Sequence, residues 1–540
     1  MTVDLNLQPR QEYEAPYHPG FHNIKSEYFS VIHSGEGDGW DVDRPCMGSI
    51  LTFQGKIYLI DAGPNIIHSL RGLGINANNV EGIFHTHSHD DHFIGLTVLM
   101  RADHRIKYFA TKLVRKSVEK KLAALAGIEE GDFERFFIIR DLAFDEWNDI
   151  EGLEVKPVLS PHPVETSILF FRAPWEGDYK TYAHLADIAA FDVLEKMITD
   201  DSERSGISRE LFEEVKKVYL SPANMKKIDI GGGLIHGRAE DFASDTSDRI
   251  ILSHTSVPLT DKQKETGANA DFGAVDVLIS SEQDFTKAMA YRNLKAYFPE
   301  APPHELTMLL NCPVTSFNPG SILIRKGEKS QHVYFILAGV LEFIATEHGV
   351  HNFMSSGSII GEISSLMGTE CRGTYRAASY VRTLKIPTSL YLKFAERNGF
   401  IDTLKKNIDK RRFLQDTWLF GEMISCPVKS GIADAMKPVD YSKGQALPTE
   451  GRDTLYLVES GEIEIFYDRI PIETVGTGGF FGEENVLYES RNLLEAKAAM
   501  KSRIYHLPGG MIGDIPIVRW KLVETFERRM KLLGPRFVFA

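Results

Sequence analysis

The chain has 540 residues, 43% hydrophobic and 25% charged, which is ordinary for a globular protein of three or four domains. Its formal net charge of -14 argues against a general nucleic-acid-binding surface, because neutralising phosphates takes clustered lysines and arginines. The four cysteines are widely spaced and no apolar run reaches membrane-spanning length, so we expect a cytoplasmic protein that binds neither DNA nor membranes.

Short apolar runs separated by glycine turns predict a β-rich start to the chain. Residues 28–33 and 48–53 predict strands, and residues 55–63 predict a third strand that ends in Asp61 and a glycine turn. Residues 112–127 have apolar side chains at helical spacing. Strands and helices are therefore expected to alternate through this part of the chain.

The next segment holds a dense group of metal-ligand side chains, His87, His89, Asp91 and His92, in the pattern H-x-H-x-D-H. His87 and His89 would leave an extended segment on the same side, whereas Asp91 and His92 would point elsewhere as the chain turns into a helix. This geometry suits two ligands for one cation and two for a neighbour. The alternative is a histidine-rich surface loop, which the specificity of the spacing disfavours.

Three isolated ligand types follow: His162, Asp187 and His254. Each one alone would more often be a hydrogen-bonded core or loop residue than a ligand. With Asp61 and the histidine motif they give the order Asp, H-x-H-x-D-H, His, Asp, His. In that order, over about residues 26–283, the chain resembles the metallo-β-lactamase fold superfamily.

The resemblance implies two divalent cations, Zn, Fe or Mn, at a site with open coordination positions. Asp91 and Asp187 would be the catalytic carboxylates of a hydrolase that activates water. By the same resemblance, Asp187 would bridge the two cations. The other ligands of the first cation would be His87, His89 and His162. Those of the second would be Asp91, His92 and His254.

Other polar residues near the predicted ligands are expected to play supporting roles. By the same resemblance, Asp61 would orient the ligand turn without touching metal. His85, His184 and His236 are expected to be structural neighbours, because a histidine near a site is often only hydrogen-bonded there.

The superfamily also contains di-iron proteins that bind or reduce oxygen, and many of them have glutamate where this chain has His89. That histidine favours a hydrolase. The alternative from another class is a di-iron oxygen or nitric-oxide sensor coupled to cyclic-nucleotide signalling.

Residues 188–245 predict a mostly helical insertion between Asp187 and His254. It could fold over the mouth of the site as a lid or form a dimer contact. The glycine run at residues 231–233 could hold a phosphate, but a flexible turn is the simpler interpretation.

From about residue 301 an internal repeat of short strands with glycine at matched turns predicts two β-barrel-like modules in tandem. Both copies resemble the cyclic-nucleotide-binding domain. The expected fold class is therefore α+β, an αββα metallo-β-lactamase sandwich followed by two cyclic-nucleotide-binding-like β-roll domains. The expected domains are residues 1–290, 300–410 and 411–540.

The first copy matches the binding cassette of that family imperfectly. Arg372 comes one residue late, because the family's arginine position falls on Cys371. Physically, the helix after Gly361 would offer N–H groups to a phosphate, Arg372 an ion pair, and Glu362 an acceptor for a ribose hydroxyl. A surface ion pair is the alternative for the two charged residues. The cassette residues in this copy are Gly361, Glu362, Arg372, Gly373 and Thr374.

In the second copy Arg491 is followed by Asn492 and two leucines instead of small residues. We expect that module to be empty and to serve dimerisation or signal relay.

Together these features predict a dinuclear metal-dependent hydrolase that is allosterically regulated by cAMP or cGMP in the first module. A small-molecule phosphodiester, such as a cyclic nucleotide, is the favoured substrate, with lactones, thioesters and RNA as competitors. Such regulation requires a coupling free energy of about 1–3 kcal/mol between the two sites. A homodimer is expected.

Overall fold

The structure is a computed structural model, and it describes residues 15–201, 205–233, 235–345, 350–421, 423–448, 453–488 and 493–533. Arg491 and Asn492 of the second cassette lie outside the described residues. None of the helices in the described part of the chain combines the length and the apolar character that a bilayer span requires.

The N-terminal region contains two mixed β-sheets. Their strands join in the orders β13-β1-β2-β3-β4-β5-β6 and β12-β11-β10-β9-β8-β7. The strands are β1 (Phe29–Gly35), β2 (Gly48–Phe53), β3 (Lys56–Ile60), β4 (Val80–Phe84), β5 (Ile106–Thr111), β6 (Phe137–Leu142), β7 (Asn148–Ile150), β8 (Leu153–Ser160), β9 (Thr166–Trp175), β10 (Asp178–Leu185), β11 (Met225–Asp229), β12 (Ile250–Ser253) and β13 (Val275–Ile279).

Helices cover the outer face of each sheet. They are α1 (Ile66–Gly72), α2 (Asp90–Phe93), α3 (Leu96–Leu99), α4 (Lys112–Ala126), α5 (Phe133–Phe136), α6 (Phe191–Lys196), α7 (Arg209–Tyr219) and α8 (Asp261–Lys264). One apolar cluster fills the space between the sheets, a second packs α1 and α4 on the first sheet, and a third packs α7 on the second. Burying Phe212 and Val215 of α7 contributes roughly 1.5–3 kcal/mol each. These layers confirm the predicted αββα sandwich.

The prediction of a helical insertion over residues 188–245 is wrong for β11, which pairs in parallel with β10 and β12 inside the second sheet. This strand carries two adjacent lysines, a pattern typical of a surface, but both are fully buried. Lys226 forms an ion pair with Asp245. Lys227 Nζ donates at 2.8 Å to Glu36 Oε1. Helices α6 and α7 belong to the outer layer of the sandwich and do not form a lid.

The C-terminal region repeats one arrangement twice. Its strands are β14 (Val314–Phe317), β15 (Ile322–Ile324), β16 (His332–Ala338), β17 (Leu341–Ala345), β18 (Val350–Met354), β19 (Ile359–Ile360), β20 (Thr374–Ala377), β21 (Val381–Pro387), β22 (Lys437–Tyr441), β23 (Thr454–Ser460), β24 (Ile463–Tyr467), β25 (Ile470–Val475), β26 (Phe480–Phe481), β27 (Glu495–Ala498) and β28 (Ser502–Pro508). Its helices are α9 (Phe285–Tyr297), α10 (Pro303–Leu310), α11 (Glu362–Met367), α12 (Thr388–Arg397), α13 (Ile401–Asp416), α14 (Cys426–Ala435), α15 (Glu483–Tyr488), α16 (Gly509–Ile512) and α17 (Pro516–Leu532).

Each repeat is a pair of short sheets with helices packed against it. The first module has the strand orders β14-β21-β16-β19 and β15-β20-β17-β18, and the second has β22-β28-β23-β26 and β25-β24-β27. Apolar clusters join the helices to the first sheet of each module. The tandem β-rolls expected from the repeat are confirmed.

Candidate functional site

The predicted site residues lie where strands of the two sheets end. The turn after β3 carries Asp61, and the segment from the end of β4 into α2 carries the histidine motif, with Asp91 and His92 in the helix itself. Thr86 donates to both Asp61 oxygens, from its N–H at 2.8 Å and from its hydroxyl at 2.6 Å. A Cβ on Gly63 would lie 2.3 Å from the Asp91 carbonyl oxygen, so only glycine lets these two turns approach so closely.

The first predicted ligand group converges on one oxygen of the buried Asp187 carboxylate. Asp187 Oδ2 lies 3.4 Å from His87 Nε2, 3.6 Å from His162 Nε2 and 3.9 Å from His89 Nδ1. The His162 Nε2 and His89 Nδ1 atoms face each other at 3.2 Å. Four ligands at tetrahedral geometry about 2.0–2.1 Å from one cation would lie about 3.3–3.4 Å apart, close to these separations.

The second predicted group converges on the other oxygen of the same carboxylate. Asp187 Oδ1 lies 3.1 Å from His92 Nε2 and 3.6 Å from His254 Nε2. Asp91 Oδ2 lies 3.1 Å from His254 Nε2 and 3.5 Å from His92 Nε2. All seven predicted ligands thus meet in one place, with Asp187 between the two groups.

Hydrogen bonding leaves several atoms of this cluster unsatisfied. Both Asp187 oxygens and the Nε2 atoms of His87 and His92 are buried without a hydrogen-bond partner among the described residues. Unsatisfied buried polar atoms are rare in folded proteins and need an explanation. Their convergence on two points fits a pair of cations held by carboxylate and imidazole donors.

Without a cation, the histidines of the cluster balance the negative charge of its carboxylates. Burial alone would raise the pKa of Asp187, but His92, His254 and His87 hold that pKa well below its usual value. Burial would likewise lower the pKa of His254, yet Asp187 and Asp229 raise it to about 10. The site therefore favours positive charge beside its carboxylates.

Asp61 takes the orienting position that was predicted for it. Its Oδ2 lies 2.9 Å from His92 Nδ1, so the His92 Nε2 atom is directed towards the cluster. Burial would raise the pKa of Asp61, but the His92 hydrogen bond and nearby imidazoles lower it to about 2.

One further residue at the site was missed from the sequence. Asp229, the last residue of β11, is fully buried, with Oδ1 3.4 Å from His254 Nδ1 and Oδ2 3.0 Å from His236 Nδ1. His236, expected to be a hydrogen-bonded neighbour of the site, has this same Nδ1 atom 3.8 Å from Asp187 Oδ2. The signal for Asp229 was an aspartate and glycine turn after a strand, as at Asp61.

His85 and His184 are fully buried outside the ligand groups. The His85 ring packs against Phe93 and Tyr108, and His184 Nδ1 lies 2.8 Å from the Tyr182 hydroxyl. Burial lowers the pKa of His85 to about 4 and that of His184 to about 3, so both are neutral side chains of the core.

In the first module Glu362 does not have the free acceptor atoms that were predicted for a ribose hydroxyl. It is 3% exposed, and it accepts from the Tyr297 hydroxyl at 2.9 Å, from Arg411 at 2.8 Å and from the Tyr391 hydroxyl. These partners belong to α9, α13 and α12, which pack around the start of α11. The prediction for Glu362 is corrected because long-range helix packing, invisible in the cassette, satisfies the side chain.

The remaining cassette residues are divided between the barrel and the surface. Gly373 is packed so closely that a Cβ would lie 2.5 Å from Phe343 Cε2. Thr374 begins β20, and its hydroxyl accepts from Lys326 N–H at 3.2 Å. Arg372 is exposed and lines a cavity of about 490 Å³ beside α13. Gly361 precedes α11 with φ 78°, in the left-handed region.

The corresponding region of the second module is closed by its own side chains. The space between Tyr456, Phe481 and Leu494 amounts to about 10 Å³, room for at most about one water molecule. Tyr456 and Phe481 stack with their ring centroids 4.9 Å apart.

Comparison with known families and proteins agrees with this division of the chain. Residues 314–398 and 438–515 match the family model of the cyclic nucleotide-binding domain, and residues 29–188 match that of the anti-Pycsar protein Apyc1. A cAMP/cGMP-dependent 3',5'-cAMP/cGMP phosphodiesterase B of Dictyostelium discoideum is 21% identical over 89% of this chain and 48% of its own length.

Other similar proteins match only part of the chain. A cGMP-dependent protein kinase of Eimeria tenella is 26% identical over 32% of this chain and 17% of its own length. The metallo-β-lactamase fold protein YhfI of Bacillus subtilis superposes with a TM-score of 0.35 at 13% identity, covering 46% of this chain and 98% of that one. The chain spans less than half of the length of the curated relatives named here.

Proposed function

Since the chain joins a metallo-β-lactamase fold to two cyclic-nucleotide-binding domains, we propose that it is a dinuclear metal-dependent phosphodiesterase of cyclic nucleotides, regulated by a cyclic nucleotide. The observation that carries the proposal is the convergence of His87, His162, His92 and His254 on the two unpartnered oxygens of Asp187. The name of the Dictyostelium relative supports the choice of substrate.

Each ligand group would hold one divalent cation, with Asp187 shared. Two cations there would supply Lewis acidity and lower the pKa of water towards neutrality, the chemistry that phosphodiester hydrolysis requires. Asp61 and Asp229 orient His92 and His254 from behind, so the ligand nitrogens keep their directions when substrate enters.

We assign His236 the role of contacting the leaving oxygen of the substrate. Asp229 holds its ring through Nδ1 at 3.0 Å, which leaves Nε2 for a substrate oxygen. The side chain is 19% exposed, so the ring can be reached from solvent while it lies beside the ligand cluster. A positioned imidazole in contact with a leaving oxygen contributes typically about 10²–10⁴-fold to the rate.

Regulation is supported by direct contacts between the segments on either side of the ligand helix and the C-terminal region. Helix α2 is followed at once by α3 and then by Asp103. Asp103 Oδ2 accepts from Ser425 N–H at 3.0 Å, and Asn78 Nδ2 donates to the Met423 carbonyl at 2.8 Å. Ser425 and Met423 lie between α13 and α14, so a shift of α13 on ligand binding would reach the metal-ligand helix through a short chain of contacts.

The proposal is tested by hydrolysis of cAMP, cGMP, bis-p-nitrophenyl phosphate and a lactone by full-length protein loaded with Zn, Mn or Fe. Each substrate is assayed with and without added cyclic nucleotide. We expect hydrolysis of the cyclic nucleotides and its loss in His162→Ala, whereas His304→Ala, at an exposed histidine far along the chain, keeps full activity.

Two results would contradict the proposal. Hydrolysis of the lactone alone would exclude a phosphodiesterase. Bound iron with a gas-sensitive absorption band and no hydrolysis of any substrate would favour the di-iron sensor instead.

A further inference from the structure

The one-residue displacement in the first cassette has a structural consequence. Cys371, which occupies the family's arginine position, is 7% exposed and belongs to the apolar cluster inside the barrel. Its Sγ donates to the Gly373 carbonyl at 3.2 Å. Arg372, the next residue, therefore points away from the barrel interior and into solvent. The positive charge of the cassette thus lies outside the barrel.

Arg372 lines a cavity of about 490 Å³ between the end of α11, the loop before β16 and helix α13. The cavity is open to solvent, because all of its lining residues except Arg412 are exposed, and its volume lies within the range of about 300–1,000 Å³ of known ligand pockets. Neither Gly361 nor Glu362 lines it. The lining residues are Lys329, Met367, Gly368, Thr369, Glu370, Arg372 and Arg412.

The charge of this cavity is strongly positive. Three lining side chains, Lys329, Arg372 and Arg412, are cationic and only Glu370 is anionic. Arg412 Nη1 lies 3.6 Å from Asp409, but no carboxylate of the described residues pairs with Lys329 or Arg372. Burial, and after it the charge of Arg372, lowers the pKa of Arg412, as expected when like charges are held together.

The second module provides an internal comparison. It has a cavity of similar size, about 450 Å³, lined by Arg528 and Arg529. Arg528 lies 2.9 Å and Arg529 2.5 Å from Glu473, and Arg529 also pairs with Glu483. Its arginines are therefore neutralised by the protein itself, whereas in the first cavity Arg372 has no carboxylate partner among the described residues and Arg412 has only the 3.6 Å pair with Asp409.

We propose that the cavity of Lys329, Arg372 and Arg412 is a binding site for a phosphate monoester, such as a nucleoside monophosphate. A monoester carries about -1.5 to -2 charge at pH 7 and three acceptor oxygens, whereas a cyclic diester carries a single charge. Two guanidinium groups and one ammonium group from three separate segments match the doubly charged group better.

A phosphate monoester is also the product class of phosphodiester hydrolysis. That link rests on the proposed function, whereas the binding site itself does not. If the enzyme forms a nucleoside monophosphate, the first module would sense its product.

The test is calorimetric titration of the full-length, chelator-treated protein with 5'-AMP, 5'-GMP, inorganic phosphate, cAMP and cGMP. We expect a 5'-mononucleotide to bind more tightly than the cyclic nucleotides. Arg372→Gln and Arg412→Gln should each raise its Kd about ten- to hundredfold, the range for one charge-assisted contact. Lys393→Gln, an exposed lysine paired with Glu396, should leave the Kd unchanged.

Equal binding of inorganic phosphate would identify the phosphate group alone as the ligand and support the site. Tighter binding of a cyclic nucleotide than of its monophosphate, weakened by both arginine variants, would overturn the proposal, and so would mononucleotide binding that both variants leave intact. Melting temperatures equal to wild type show that the variants fold. A failure to hydrolyse cyclic nucleotides would contradict the proposed function without affecting this result.

Discussion

Asp187 in the N-terminal sandwich and Glu362 in the first regulatory module are both buried acids, 1% and 3% exposed, yet their surroundings differ. Neither oxygen of Asp187 has a hydrogen-bond partner among the described residues, whereas Glu362 accepts from two tyrosine hydroxyls and Arg411. A buried carboxylate that the fold leaves unsatisfied needs an explanation, and the imidazole donors around Asp187 fit a bound cation. The comparison thus separates a candidate cation site from a structural network.

The second module adds an intermediate case. Glu483 pairs with Arg529 as Glu362 pairs with Arg411, but the adjacent Glu484 is 2% exposed and has an unpartnered Oε2. Burial, with the charge of Glu483, raises the pKa of Glu484 to about 7. Among the described residues, the groups that shift the pKa of Glu484 include no imidazole, unlike those around Asp187, and Glu484 becomes neutral by protonation instead.

The largest expected effect is that of a substitution at Asp187, the carboxylate of the candidate cation site. Asp187→Asn removes the charge that both ligand groups share, and we expect activity to fall by a factor on the order of 10³, the upper range for loss of one preorganised electrostatic group. Metal content should fall in parallel, as measured by atomic absorption after dialysis. Asp192→Asn, at a half-exposed aspartate nearby, is the matched control. Unchanged metal content in the Asp187 variant would contradict the assignment of a shared ligand.

At Glu362 the expected effect is on stability. Glu362→Gln leaves Arg411, 13% exposed, without its carboxylate, and breaking a buried ion pair in this way destabilises by about 3–5 kcal/mol. Urea denaturation followed by fluorescence should show a lower midpoint for the C-terminal region. The control is Glu396→Gln, at a glutamate paired on the surface with Lys393, and its midpoint should match wild type. A wild-type midpoint for Glu362→Gln would mean that the acid is not part of a stabilising network.

The raised pKa of Glu484 predicts that the free energy of unfolding depends on pH. Its pKa is raised from 4.5 to about 7 on folding, so the unfolded chain binds fewer protons between these values and stability falls as pH rises from about 4.5 to 7. The full loss is on the order of 3 kcal/mol. Glu484→Gln should remove this slope and stabilise the protein at pH 8, as measured by denaturation midpoints at pH 5 and 8. Glu527→Gln, at a half-exposed glutamate, should retain the wild-type slope. The same slope in Glu484→Gln would show that another group titrates.

The ordered motif in the sequence was sufficient to predict the candidate ligands because they lie close to strand ends. The histidine motif begins three residues after β4 ends, and Asp187 and His254 come within two residues of the ends of β10 and β12. Parallel strands end at one edge of a sheet, which is why residues so far apart in the chain lie together. Their convergence and the fold class were expected from the resemblance to known families, because no single ligand outside the motif was distinctive by itself.

What could not be predicted depends on contacts between distant segments. The partners of Glu362 lie 65, 49 and 29 residues away in sequence, on helices whose packing no cassette pattern records. Strand β11 was assigned to a mostly helical insertion, and the acidic partners that allow its two lysines to be buried, Asp245 and Glu36, lie outside that strand. Missing β11 also meant missing Asp229 at its end.

Asp229 therefore provides the last prediction, on an orienting residue that no pattern identified. Its carboxylate accepts from Gly231 N–H at 2.8 Å and Ile188 N–H at 3.1 Å while it faces His254 Nδ1. In Asp229→Asn the amide nitrogen would oppose one of these donors, so His254 would lose its fixed orientation. We expect metal affinity and activity to fall about 10–100-fold, the range for a residue behind a ligand.

Competition with a chromogenic chelator measures that metal affinity directly, separately from turnover. Asp248→Asn, which changes an aspartate hydrogen-bonded to Asn224 near the start of β12, should bind metal as wild type does. The loss in Asp229→Asn should remain smaller than in Asp187→Asn, because the first variant misdirects one ligand whereas the second removes the carboxylate on which both groups converge. Equal losses in the two variants would mean that Asp229 itself contacts a cation.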